Sequence, residues 1–136
     1  MSFKVLVVDD TRTIRFQLRE MLHRMKFEVM EASDGTDALI KIRGEKPHIV
    51  LMDIMMPNMD GIECCRRIKD DPKTKDIKVV MVTAKGDYAK VNEAFRARCD
   101  DFITKPVAEN ELASKLEDLS RFVHASMTLK GSLKSL

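Results

Sequence analysis

Short apolar runs rich in β-branched residues recur along the chain at Val5–Val8, Phe27–Met30, Ile49–Met52, Val79–Val82 and Phe102–Ile103. Successive side chains of a strand point to opposite faces, so a run that is apolar at every position needs cover on both sides. The stretches between the runs instead carry apolar residues at helical spacing. Such an alternation folds as a parallel sheet whose crossover helices shield both faces, an α/β class with a three-layer α/β/α arrangement. At 136 residues the chain has room for one domain of this kind.

In the first intervening stretch Ile14, Leu18, Met21, Leu22 and Met25 share a helical face, with Thr11 placed to cap its start. In the second, Asp34 or Ser33 is the cap candidate, Ala38, Leu39 and Ile42 form the apolar face, and Gly44 reads as the stop. A third helix begins near Gly61 with Ile62, Cys65 and Ile68 inward, and DDPKTKD after it reads as a solvated loop. Tyr88, Val91 and Phe95 mark the fourth helix, and Leu112, Leu116, Leu119 and Val123 the fifth.

Ligands of doubly wound sheets bind beyond the carboxyl ends of the strands. Those ends carry Asp9 and Asp10 after the first run, Asp53 after the third, Thr83 after the fourth and Lys105 after the fifth. Neighbouring carboxylates repel and resist leaving water. Three at one edge therefore share a proton or bind a hard cation, for which Mg²⁺ fits best because it takes one or two carboxylates and leaves room for a phosphate oxygen. An ammonium and a hydroxyl suit the remaining phosphate oxygens. Gly35, Gly44, Gly61, Gly86 and Gly131 are isolated, so no glycine-rich loop holds a nucleotide and the phosphoryl group arrives on another carrier.

Other classes are weakened by composition. No apolar stretch approaches the roughly 20 residues of a membrane span, and acids follow MSFKVLVV too soon for a secretory leader, so a cytoplasmic location is expected. With 24 basic and 22 acidic side chains the net charge is +2, which gives no general attraction to nucleic acid. Cys64, Cys65 and Cys99 lack metal spacing and read as buried filler in a reducing compartment. His23, His48 and His124 form no ligand set, and Met52, Met55, Met56 and Met59 read as loop and core packing.

Asp9-Asp10, LMDIMMPNMDGIE, VVMVTAK and DDFITKP, in this order from about Lys4 to Leu119, resemble the receiver domain of bacterial two-component response regulators. The resemblance implies a flavodoxin-like sheet of order 2-1-3-4-5. It implies that Asp53 accepts a phosphoryl group from a sensor histidine kinase or phosphotransfer protein. Asp9, Asp10, Asp53 and the backbone carbonyl of Met55 would serve Mg²⁺, Asp9 through a water. Thr83 and Lys105 would meet the phosphoryl oxygens, and Pro106 would follow a cis bond. Thr83 and Phe102 would act as the switch, shifting a two-state equilibrium on the face of helix 4, strand 5 and helix 5 toward a downstream protein target. On this reading the protein is a phosphoacceptor whose only catalysis is its own phosphotransfer and dephosphorylation, with no direct contact to nucleic acid or membrane and with a phosphorylation-dependent dimer left open.

The chain departs from the family pattern at Arg98-Cys99, where many receivers read Gly-Ala, so the turn before the fifth strand is expected to lack glycine's freedom. Met55 and Lys85, each two residues beyond a site position, bear on access of hydrolytic water. Residues 1–124 read as the receiver and 125–136 as a tail or linker stump, with Leu129, Leu133 and Leu136 at amphipathic spacing. A receiver cut from a larger hybrid or multidomain regulator and a receiver used only for docking are alternatives. A Mg²⁺-dependent aspartate-nucleophile phosphohydrolase is a further one, although Thr11 stands where that class needs a second acid. A flavin binder is disfavoured because the first strand's loop lacks a Ser/Thr-rich phosphate cradle.

Overall fold

The computed structural model describes residues 3–134, with side chains to Val123. The elements alternate throughout: β1 (Lys4–Val8), α1 (Arg12–Arg24), β2 (Glu28–Ala32), α2 (Gly35–Glu45), β3 (Ile49–Asp53), α3 (Gly61–Asp70), β4 (Lys78–Thr83), α4 (Tyr88–Arg96), β5 (Asp101–Thr104) and α5 (Glu109–Lys134). All strand pairs are parallel, in the order β2-β1-β3-β4-β5. The α/β class, the three layers and the strand order thus agree with expectation.

The chain divides into a unit ending at Pro106 and a second from Val107 onward. Within the first, the continuous apolar strands serve both faces. Leu6, Val8, Val50, Met52, Val79 and Met81 join Ala38, Leu39, Ile42, Ile62, Cys65, Ile68 and Ala94 of α2, α3 and α4 in one buried cluster. The alternate positions Val5, Val7, Ile49, Leu51, Val80 and Val82 are equally buried on the other face, where α1 lies against β1 and β2 with Leu18 and Leu22 enclosed. In the second unit α5 buries Leu112 and Leu116 and carries the i,i+4 pairs Glu111–Lys115 and Glu117–Arg121 on its surface. The expected boundary at residue 124 falls inside this 26-residue helix, and the side chains of Leu129, Leu133 and Leu136 lie outside the described ones. Among the described residues no helix is long and apolar enough to cross a membrane.

The starts of α2 and α3 follow side-chain chemistry, whereas the N-cap residues of α1 and α4, Thr11 and Asp87, make no side-chain cap bond. Asp34, not Ser33, caps α2 by accepting the Asp37 N–H at 2.8 Å, and Asp60 does the same for α3 with Glu63. Thr11 occupies the N-cap of α1 but makes no side-chain cap bond; its own N–H donates to Asp9 Oδ1 at 2.8 Å. Gly44 does not end α2. The helix continues to Glu45, and Lys46 takes the left-handed conformation at φ 46°, donating its N–H to the Ile42 carbonyl. β2 starts at Glu28, not at Phe27, because the Phe27 N–H is used to close the end of α1 on the Leu22 carbonyl.

Two further differences concern the region before β5. DDPKTKD is more ordered than a solvated loop: Thr74 is buried, and its hydroxyl donates to the Ile68 carbonyl at 2.7 Å. Arg98 does not reshape its turn. It adopts φ 70°, the conformation that glycine enters freely, at a cost of roughly 1 kcal/mol, and it pairs with Asp70 on the surface.

One buried ion pair was not foreseen. Lys69 of α3, only 8% exposed at its side chain, donates to Asp100 Oδ2 at 2.8 Å, to the Ile77 carbonyl at 2.8 Å and to the Lys75 carbonyl at 3.2 Å. The same Asp100 oxygen accepts the Val79 N–H at 2.8 Å, and the Asp100 N–H donates back to the Val79 carbonyl. The pair therefore ties the end of α3 to the first residues of β4 and the entry to β5.

Candidate functional site

Parallel pairing brings the carboxyl ends of β1, β3, β4 and β5 to one edge, and the residues named from sequence meet there. Asp53 ends β3 opposite Val82, and Thr83 follows on β4 opposite Thr104, one residue before Lys105. Asp9 and Asp53 are buried while Asp10 is exposed, and one carboxylate oxygen from each lies within 4.8 Å of the others. Lys105 reaches in from the end of β5, with Nζ 3.3 Å from both Asp9 Oδ2 and Asp53 Oδ2. Its N–H donates to the Thr83 carbonyl at 2.8 Å, and the Lys105–Pro106 bond is cis. Thr83 is buried at the same edge.

Other named residues stand around this centre. Met55 donates its N–H to Asp53 Oδ1 at 3.3 Å, while its side chain points to solvent at 62% exposure. Phe102 lies two register positions below the edge, partly buried against the core, with its ring edge-on to Phe95 at 6.0 Å. Tyr88 is largely exposed. Cys64, Cys65 and Cys99 are free, buried thiols that burial pushes up to about 12, about 11 and about 12, so they are inert packing as expected. His48 is a structural group whose Nδ1 accepts the Lys4 N–H at 3.0 Å.

Electrostatics mark Asp53 as the tense member. Burial first, and then the neighbouring Asp9 charge, raise its carboxyl above the ordinary value, against the opposing pull of Lys105 and the Met55 N–H. For Lys105 burial acts downward, but Asp53 and Asp9 together outweigh it and hold the amine above its usual value. One ammonium shared between two buried acids leaves negative charge at the edge, and an all-oxygen donor set with one open side fits a hard divalent cation.

An acid with a raised folded-state pKa binds its proton more tightly folded than unfolded, so it lowers stability above that pKa and ceases to do so as pH falls below the unfolded value. Asp53→Asn is accordingly expected to raise the melting temperature by a few degrees at neutral pH without divalent cations, with the gain fading below about pH 4. Added Mg²⁺ is expected to stabilise the natural chain more than the variant. Thermal melts followed by circular dichroism check both; a variant that melts lower at neutral pH contradicts the account.

Two residues that hold the site were not singled out from sequence for that role. Arg15, one helical turn past Thr11, donates Nη1 to the Asp9 carbonyl at 2.6 Å and so fixes the β1 exit. Gly61 marks the start of α3 in the sequence, and a Cβ there would lie 2.2 Å from the Asp53 carbonyl oxygen. The close approach serves a hydrogen bond from the Gly61 N–H to the Ile54 carbonyl at 2.8 Å. Gly61→Ala is expected to lower stability by about 1–3 kcal/mol, the range for overpacking, and to shift the Asp53 backbone amide resonance. Denaturant unfolding with an amide correlation spectrum measures both, and a neutral substitution contradicts the close packing.

A five-stranded doubly wound sheet of order 2-1-3-4-5, with an acidic cluster and a lysine at its carboxyl edge, defines a flavodoxin-like α/β class. The chain belongs to the response regulator receiver domain family, whose sequence model matches residues 5–117. It is 38% identical over 122 residues to the response regulator PleD of Caulobacter vibrioides, covering 90% of this chain and 27% of PleD. It is 39% identical over 118 residues to the transcriptional regulatory protein ResD of Bacillus subtilis, covering 87% of this chain and 48% of ResD. The chain thus spans between about a quarter and a half of these relatives. Among solved structures, the chemotaxis protein CheY4 of Vibrio cholerae superposes with a TM-score of 0.82 at 27% identity, covering 88% of this chain and 99% of that one.

Proposed function

We propose that Asp53 is the phosphoacceptor of this receiver and that its aspartyl phosphate switches a protein-binding face. The observation that carries the reading is the Lys105 ammonium placed 3.3 Å from both Asp9 and Asp53 at the strand edge. In the transfer an Asp53 carboxylate oxygen forms the new O–P bond as the N–P bond of a phosphohistidine breaks, and the departing imidazole keeps the electron pair and takes a proton. Asp9, Asp10, Asp53 and the Met55 carbonyl would hold Mg²⁺, which offsets charge on the phosphoryl oxygens when bound. Lys105 orients and neutralises the same group, while the buried Thr83 hydroxyl supplies a hydrogen bond beside it.

Residues 1–124 form the receiver in this proposal, and residues 125–136 a tail or linker stump, consistent with a family match that ends at residue 117. Its partners are a sensor histidine kinase or phosphotransfer protein and a downstream protein target, in the cytoplasm, with Thr83 and Phe102 as the moving parts. Nucleic-acid contact is not ascribed to a chain whose net charge is +2, although one relative is a transcriptional regulatory protein.

Beryllofluoride with Mg²⁺ mimics the aspartyl phosphate and tests the site without a kinase. Saturable amide shifts at Asp53, Thr83 and Phe102 that vanish in Asp53→Asn support the assignment. Shifts that survive in that variant remove it.

A further inference from the structure

A cleft separate from the phosphoacceptor edge opens between α1, the end of β2 and α2. It encloses about 450 Å³, within the range of small-molecule sites. Arg12, Arg15, Phe16 and Arg19 line it from α1 at positions i, i+3, i+4 and i+7, which share one helical face. Glu31 and Lys41 line it from β2 and α2.

Four cationic side chains and only two acids, Glu31 and Asp37, line the cleft, with Glu20 beside it 3.9 Å from Arg19. Glu31 is shared by Arg15 at 3.5 Å and Arg19 at 3.1 Å, and Asp37 takes Lys41 at 3.3 Å. Arg12, exposed at the rim, has no acidic partner among the described residues. Arg19 also keeps one buried donor, Nε, without an acceptor; such orphaned donors are rare and call for a missing partner. The fifth feature is aromatic. Phe16 is 53% exposed, with the Arg19 guanidinium 5.2 Å from its ring centroid, a flat apolar platform backed by a cation.

Guanidinium forks select phosphate oxygens, and an exposed aromatic plane selects a flat ring. We propose that this cleft binds a nucleoside phosphate, the base stacked on Phe16 and the phosphate held by Arg12 with Lys41 or Arg19.

The test titrates the full chain with 5′-AMP and 5′-GMP by amide NMR, without divalent cations so that the carboxylate cluster takes no part. Adenosine and pyrophosphate serve as half-ligands. The expected result is saturable shifts confined to residues 12–19 and 31–41, with either nucleotide binding at least about tenfold more tightly than pyrophosphate or adenosine. Arg12→Ala and Phe16→Ala each weaken it about tenfold, a loss of one good contact; Arg12→Ala leaves the melting temperature unchanged, since its side chain lacks an internal partner, while Phe16→Ala, which gives up the Arg19 contact, lowers it by a few degrees. Arg12→Lys restores part of the affinity. No saturable shift at millimolar nucleotide, binding unchanged in Arg12→Ala and Phe16→Ala, or pyrophosphate binding as tightly as nucleotide overturns the proposal.

Discussion

Asp100→Ala is expected to destabilise the chain by about 3–5 kcal/mol, the cost of breaking a buried pair from one side. Lys69 places its three N–H donors on Asp100 and on the Ile77 and Lys75 carbonyls. Taking away the carboxylate leaves a full positive charge with two neutral acceptors and almost no water. It also strands the Val79 N–H near the start of β4. Lys69→Met is gentler, because Asp100 is 22% exposed and keeps Lys78 at 3.8 Å. The double variant with Lys69→Met and Asp100→Leu recovers much of the loss, since well-packed apolar groups can replace a buried pair. Asp70→Ala provides the contrast: its partner Arg98 and Asp70 itself are 57% and 62% exposed, and such a pair contributes at most about 1 kcal/mol. Urea unfolding of the four variants measures the series. Equal losses for Asp70→Ala and Asp100→Ala contradict it.

Lys105→Ala is expected to slow phosphorylation of Asp53 roughly 100-fold, the usual loss on removing one preorganised donor at the reacting centre. The same substitution is expected to tighten Mg²⁺ binding. The ammonium sits 3.3 Å from both buried acids, so it competes with a cation for the oxygens it neutralises. A role confined to folding would lower both quantities. Opposite signs in transfer rate and metal affinity therefore separate a group that acts on the phosphoryl oxygens from one that only holds the loop. Lys105→Arg restores little of the rate, because a broad planar fork does not reproduce a compact point charge.

Much of the fold could be read because β1, β3 and β4 are short runs with buried apolar residues at nearly every position, a pattern that a doubly covered sheet satisfies, whereas β2 reads EVMEA and is buried only at Ala32. The strand order was different: it came from family resemblance, since periodicity does not say which strand pairs with which. Asp9, Asp10, Asp53 and Lys105 were legible because they directly follow strand runs, and parallel pairing turns that position into proximity. Local backbone detail was less accessible. Gly44 looked like a stop, but the left-handed position fell two residues later on Lys46. Arg98 took up the turn that glycine makes more easily, since the flanking Phe95 and Ala94 carbonyls still receive the Arg98 and Cys99 N–H groups. Thr11 takes the N-cap position without a side-chain cap bond, and its N–H is donated to Asp9. Lys69 and Asp100 lie 31 residues apart, and nothing in either neighbourhood announces a buried pair.

The central claim is that Asp53 carries the phosphoryl group, and intact mass after incubation with acetyl phosphate tests it most directly. The natural chain with Mg²⁺ is expected to gain a single phosphoryl adduct, which is absent without Mg²⁺ and absent in Asp53→Asn. An adduct of the same yield in Asp53→Asn, or none in the natural chain under any of these conditions, would contradict the account.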